Sequence, residues 1–383
     1  MPLVPLKPLL ETSQKYGFAH GAFNVNAVHQ AKAVIEIHEM FRSAAILQGA
    51  DLANGFMGGN TDFLNATLED KKIGAKKIAE AVRKYGENSP IPIVLHLDHG
   101  KDFDSVKAAI DSGYTSVMID GSHLEFDQNV ELTREVVKYA HERGVSVEGE
   151  LGVLAGIEDN VFSEKSTYTN PMKVVEFFRK TGVDCLAISY GTMHGAVKGK
   201  DVKLRKEIAI ASMENLRHEG IFGALVSHGS STVPQYIVEE INAMGGDIRN
   251  AHGISINELK SVIPCGISKI NVDTDIRLAV TRNMKEYFYN YPDKRQSEYV
   301  GAIYDILEAK KNQFDPRVFL PPIMDTVMNG TIAHQDVADI VSCVERGVKE
   351  VVGSLIVQFG SVGYAPKVEM VTLDQMAERY KRG

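Results

Sequence analysis

The sequence predicts an α/β protein built as a closed (β/α)8 barrel with additional C-terminal helices. Two observations carry this expectation. Short apolar, β-branched runs alternate with amphipathic stretches of helical period, the pattern of repeating βαβ units. The runs number eight, the count at which a parallel sheet closes on itself with helices outside. In order they are "GAFNVN", "AAILQG", "IPIVLHLD", "YTSVMID", "VSVEGEL", "CLAISYG", "FGALVSHG" and "SKINVDTD". Between them lie helical stretches such as "SVKAAIDSG", "NVELTREVVKYAHERG", "PMKVVEFFRKTG" and "VPQYIVEEINAMGG", each closed by a glycine of the kind that caps helix C-termini. No Pro/Gly/Ser-rich linker divides the chain, so residues 1–383 are expected to form one domain. Residues 298–383 keep a helical pattern after the eighth run and are expected to wrap the barrel or an oligomer partner, a dimer or a tetramer.

Composition narrows the function classes. The chain is 44% hydrophobic and 24% charged, the balance of a globular protein with a sizeable core. A formal net charge of -8 argues against nucleic acid or an anionic membrane as partner, because both reward a basic face. The opening "MPLVPLKPLLETSQKYG" has no cationic region followed by a long apolar core, and no later window reaches membrane-spanning length, so a cytoplasmic location is expected. Cys185, Cys265 and Cys343 are odd in number and scattered, which fits neither a disulfide framework nor a metal motif.

A barrel of this kind keeps its chemistry at the C-terminal ends of its strands. Those positions hold Asp98, His99, Asp120, Glu150, His194, His228, Asn271, Asp273 and Thr274. His99, His194 and His228 each follow a different apolar run and each precedes a glycine, in "DHG", "MHG" and "SHG", where backbone can approach a ligand. Three imidazoles converging on one mouth match a catalytic zinc site with a position left open. The other histidines lack that context, although alternation puts His96 on the same face as Asp98 with no evident role.

Glu148 and Glu150 share a strand face, and two buried carboxylates call for cations. Barrel-interior ion pairs and metal or metal-supporting work are both open readings of them. The next segment, "GVLAGIEDNVFSEKSTYTNP", is long, polar and glycine-bearing, as a flap over a site would be, and carries Glu158 and Asp159. "HGSSTVP" and "NVDTDIR" follow the seventh and eighth runs, whose loops often bind phosphate in barrels; Lys198 in "HGAVKGK" adds a cation.

Taken together, "LHLDHG", "VMIDGSH", "VEGELG", "AGIEDN", "YGTMHGAVK", "LVSHGSS" and "KINVDTDIR" resemble the class II, metal-dependent fructose-1,6-bisphosphate aldolases, from "GAFNVN" to "DPRVFL". The resemblance implies a TIM barrel that cleaves fructose 1,6-bisphosphate to dihydroxyacetone phosphate and glyceraldehyde 3-phosphate through a metal-stabilised enediolate. It implies Zn2+ on His99, His194 and His228, with Glu150 near an alternative metal position, and leaves room for a monovalent cation, Na+ or K+. Asp98 then matches the acid/base group for the C4 hydroxyl and Glu158 the flap residue exchanging the C3 proton. Gly195, Lys198, Gly229, Ser231, Asn271, Asp273 and Thr274 match positions around the C1 phosphate. Arg317 matches an arginine that reaches the C6 phosphate, in some relatives from a neighbouring subunit.

The chemistry suits that assignment: a cation beside the ketone stabilises the carbanion, and two acid/base groups must act on opposite sides of the substrate. Gly49, Ala50 and Asp51 stand where many relatives have a serine after the strand-two glutamine, so tagatose 1,6-bisphosphate, which differs only at C4, is the nearest alternative substrate. A Schiff-base aldolase needs a lysine at a strand C-terminal end, whereas Lys269 is read at the opposite rim. A barrel metallohydrolase and a sugar-phosphate-binding protein with structural zinc fit less well: the first run lacks a His-x-His pair, and the cysteines do not qualify as closing ligands.

Overall fold

The computed structural model describes residues 3–154, 156–158, 161–163, 167–198 and 202–382. Eight parallel strands close in the order β1-β10-β9-β8-β5-β4-β3-β2: β1 (His20–Asn24), β2 (Ala45–Ala50), β3 (Ile93–Gly100), β4 (Ser116–Ile119), β5 (Ser146–Leu151), β8 (Cys185–Ile188), β9 (Ala224–Ser227) and β10 (Ile267–Val272). Each coincides with one of the eight apolar runs. β-branched and aliphatic residues buried on both strand faces explain why these runs read as continuous hydrophobic stretches. The remaining pair, β6 (Gly156–Glu158) and β7 (Val161–Ser163), forms an antiparallel hairpin within the segment expected to be a flap.

Period-two alternation sorts the barrel interior by depth. The lower part is apolar: Ala22, Ile46, Val94, Met118, Ala187, Ala224 and Val226 pack with Leu6 and with Leu9 and Leu10 of the helix Lys7–Tyr16, which closes the barrel from below. Above it the same faces turn polar, through His96 and Asp98 on β3, Glu148 and Glu150 on β5, and Lys269 and Asn271 on β10. This change from oil to charge along one strand face places the polar groups at the C-terminal mouth.

The C-terminal helices wrap the barrel. The long helix Gln335–Phe359 packs on the helices Val28–Phe41 and Thr274–Asn290, burying Val344, Val348, Val351, Val352 and Ile356 along one stripe. The last helix, Leu373–Arg382, packs against the helix Phe126–His141. Its Tyr380 hydroxyl donates to the buried Asp184 carboxylate at 2.9 Å, which also accepts from His141 Nε2 at 3.0 Å and pairs with Lys7 at 3.3 Å. One carboxylate thus ties both ends of the chain to the bottom of the barrel. Among the described residues no helix is long and apolar enough to cross a membrane.

Candidate active site

The mouth is built around a defect in β3. The β3–β4 register slips between Leu97 and Gly100, and His99 takes φ 49°, a left-handed conformation unusual for a side chain other than glycine. Without that bulge, alternation would send Asp98 inward and His99 outward. With it, both enter the same buried cluster. The His99 ring lies 5.4 Å from the His194 ring and 4.8 Å from the His228 ring, centroid to centroid. His228 Nδ1 and His99 Nε2 face each other at 3.1 Å.

The tightest sets of ligand atoms differ from the expected trio of imidazoles. One joins Asp98, His99 and His228; the other joins His99, Asp120 and Glu150; each has its ligand atoms within 4.8 Å of one another. These donors fit a divalent cation: imidazole nitrogens and carboxylates are its usual ligands, and the buried Glu150 Oε2 has no hydrogen-bond partner among the described residues. Asp120 lies 3.5 Å from His99 Nδ1. Burial works against its ionisation, but His99 and Ser122 outweigh that and hold it well below the usual carboxylate range. Glu150 goes the other way: burial first, then the nearby Asp120, Glu148 and Asp98, push its carboxyl well above that range. Of the two readings left open for the strand carboxylates, Glu150, beside three other acids, fits work on a metal rather than a pairing with protein cations.

Glu148 does find them. Its Oε2 accepts from Lys269 Nζ at 2.9 Å and its Oε1 from His228 Nε2 at 2.7 Å. Burial opposes its ionisation, yet Lys269, His228 and His96 hold it well below the carboxylate range. Lys269 begins low on β10, as its position implies, but its side chain runs upward through the barrel and its ammonium ends directly beneath the mouth. Asp98 Oδ1 accepts from Asn271 Nδ2 at 3.1 Å.

Beside the cluster opens a cavity of about 430 Å3. Gly195, Lys198, Gly229, Ser231, Asn271, Asp273, Thr274 and Arg317, the eight residues singled out for substrate contact, all line it. The loop after β9 and the start of the helix Thr274–Asn290 form its anion-friendly end: backbone N–H groups of Asp273 and Thr274 point at Ser231 Oγ, at 3.3 and 3.1 Å. Asp275 locks that loop, accepting from Thr232 N at 2.9 Å, Thr232 Oγ1 at 2.7 Å and Val233 N at 2.8 Å. At the other end Asp315 accepts from Arg277 at 3.1 Å and Arg317 at 2.8 Å. Burial would raise this carboxyl, but the two guanidiniums hold it down to about 2. Lys198, Arg277 and Arg317 oppose only Asp273 and Asp315, so the lining favours an anion.

Of the three glycines that follow the histidines, Gly195 and Gly229 line the cavity and Gly100 does not. Gly100 leaves room for the neighbouring strand, since a Cβ there would meet Met118 O at 2.4 Å. Gly229, with φ 60°, makes similar room for Met193 O at 2.5 Å while also lining the cavity. Phe63 and Leu64, from the turn Phe63–Asn65, line the cavity too, and Arg317 lies 4.2 Å above the Phe63 ring. Nothing in the sequence around them signals that role. Glu158 ends β6 of the hairpin; its side chain, and Asp159, lie outside the described residues.

A family model described as fructose-bisphosphate aldolase class-II matches residues 4–363. The chain is 36% identical to a fructose-bisphosphate aldolase of Giardia intestinalis over 384 residues, covering 100% of both, and 36% identical to one of Thermus caldophilus over 93% of this chain and 98% of the relative. Among solved structures, the YdjI aldolase from Escherichia coli K12 superposes with TM-score 0.64 at 23% identity, over 95% of this chain and 99% of that one. That likeness speaks for the fold.

Proposed function

Because this chain belongs to the class II fructose-bisphosphate aldolase family, we propose that it is a zinc-dependent lyase that reversibly cleaves fructose 1,6-bisphosphate to dihydroxyacetone phosphate and glyceraldehyde 3-phosphate. The observation that carries this reading is the junction of two features. A buried imidazole and carboxylate cluster lies beside a cationic cavity of about 430 Å3, the two joined through Asn271, which lines the cavity and donates to Asp98.

His99, His194 and His228 would hold the metal, and Asp120 and Glu150 would offer a second position that shares His99. A divalent cation bound there would supply the positive charge that lowers the cost of the carbanion left when the C3–C4 bond breaks. Asp98, oriented by Asn271, accepts the C4 hydroxyl proton at its carboxylate and returns it in the aldol direction. Glu158, on the hairpin, exchanges the C3 proton from the opposite side. Lys198, Gly195, Gly229, Ser231, Asn271, Asp273 and Thr274 hold the C1 phosphate, and Arg317 meets the C6 phosphate. The enzyme works as a cytoplasmic homo-oligomer, a reading that rests on the helical C-terminal segment after the barrel.

The test is aldol cleavage coupled to triose-phosphate detection, before EDTA, after EDTA, and after zinc is restored. Cleavage lost to chelation and regained with zinc is expected. No cleavage of fructose 1,6-bisphosphate by zinc-loaded protein, with turnover of tagatose 1,6-bisphosphate instead, would reassign the substrate; failure with both would reject the reading.

A further inference from the structure

A fully buried ionic layer lies directly beneath the mouth, between the apolar floor and the candidate metal cluster. Lys269, Glu148 and His96 have no solvent exposure there. An ammonium has three N–H donors and no acceptor. Those of Lys269 meet three partners: Asn271 Oδ1 at 2.8 Å, Glu148 Oε2 at 2.9 Å and His96 Nε2 at 3.4 Å. His96 is itself fixed through Nδ1, 2.8 Å from Ser116 Oγ, and burial followed by the Lys269 charge keeps its ring neutral, so Nε2 can accept.

Two of the three arms lead upward. Glu148 passes the constraint to His228: its Oε1 can only accept, so Nε2 donates to it, and although Asn271 Nδ2 also lies 3.1 Å from Nε2, this tautomer leaves the Nδ1 lone pair facing His99. Asn271 passes it to Asp98: with Oδ1 held by Lys269, the Asn271 amide can only present Nδ2 to the Asp98 carboxylate. One ammonium therefore sets both a ring nitrogen aimed at the metal position and the orientation of the acid/base group.

Stability does not explain the layer. Charges withdrawn from water regain only part of their hydration through pairing, and well-packed apolar side chains of similar volume commonly do as well or better. The floor beneath is built in just that way, from alanine, valine, isoleucine and methionine.

We propose that Lys269 is a positioning residue for the aldol reaction: it acts through Glu148 on His228 and through Asn271 on Asp98, and it touches neither metal nor substrate. The proposal rests on the aldolase reading above.

The full-length chain, stripped of metal and reloaded with Co2+, gives a visible spectrum that reports ligand geometry. Wild type, Lys269→Met and the isosteric Glu148→Gln are compared by Co2+ affinity and spectrum, by kcat and KM, and by melting temperature. In Lys269→Met, Co2+ affinity is expected to fall by roughly 10- to 100-fold with an altered spectrum, as when a metal ligand loses its orienting partner. kcat is expected to fall by about tenfold or more with KM changed far less, since the phosphate contacts stay in place. Glu148→Gln should weaken Co2+ binding in the same sense while leaving the Asn271 arm intact, and it stands in if Lys269→Met does not fold. Folded variants that melt earlier but keep wild-type Co2+ affinity, spectrum and kcat would overturn the proposal, reducing Lys269 to a structural ion pair. A wild type that neither binds Co2+ nor cleaves the bisphosphate would instead reject the aldolase reading on which the proposal stands.

Discussion

His99 and Asp98 are adjacent in the chain, and on a regular strand they would face opposite sides. The left-handed backbone at His99 brings both to the mouth, at a conformational cost of order 1–3 kcal/mol that the surrounding barrel must offset. Strain of this kind tends to collect at working sites. Their roles separate under mutation. His99→Ala, His194→Ala and His228→Ala should each lose bound metal together with cleavage, and metal analysis after gel filtration checks it; normal metal content would remove that residue from the ligand set. Asp98→Ala should retain metal yet lose about 10²–10⁴-fold in kcat, the usual worth of a positioned acid/base group. Near-normal turnover would reject its role. The sequence presented these residues through strand-end position and the repeated His-Gly pair. It did not mark Asp120 as their close partner, because an isolated aspartate after an apolar run has many possible uses.

Whole elements set the second level. The loop after β9 and the helix Thr274–Asn290 meet at Asp275, whose carboxylate accepts two backbone N–H groups and one hydroxyl. Asp275→Ala leaves those donors buried without a partner. It should cost about 1–3 kcal/mol of stability per uncompensated group at most and raise KM for the bisphosphate more than it lowers kcat, because the loop carries Ser231. Thermal melts with steady-state kinetics decide this; an unchanged KM in a destabilised protein would confine Asp275 to a folding role. The β6–β7 hairpin is the second such element. With Glu158 as the last residue of β6, Glu158→Gln should slow hydrogen exchange at C3 of dihydroxyacetone phosphate, again by about 10²–10⁴-fold, and NMR-monitored exchange at the wild-type rate would remove it from the mechanism. Strand and helix periodicity made the eight barrel runs legible. The hairpin was read only as a long polar loop, since its strands of 3 residues each are too short for alternation to register.

At the scale of the molecule, closure of the barrel buries groups that the sequence placed in no special context. His20 and His38 are examples. Burial first, with their mutual repulsion for His20, lowers these rings to about 3 and about 4. A ring whose folded pKa is depressed contributes stability above its unfolded value, about 6.5, and loses it as pH falls toward the folded value. Metal-free protein should therefore melt earlier as pH drops from 7 to 5, and His20→Gln should flatten that slope. An identical slope in the variant would mean that other groups carry the acid sensitivity.

The sequence by itself determined the α/β class, the eight strands and the polar strand ends, because periodicity and strand-end chemistry are local properties that survive being written in one dimension; most of the cavity lining was legible only through the family resemblance, and Phe63 and Leu64 not at all. Only the tertiary structure decided how those residues act on one another. The slipped register of β3 turned two neighbours to the same side, the hairpin emerged from a loop, and Lys269 came to rest under the mouth rather than at the far rim. The register of β3 and the place of Lys269 depend on the shear and closure of the barrel, which bring residues as distant as His96 and Lys269 within hydrogen-bonding reach. No local pattern encodes that meeting.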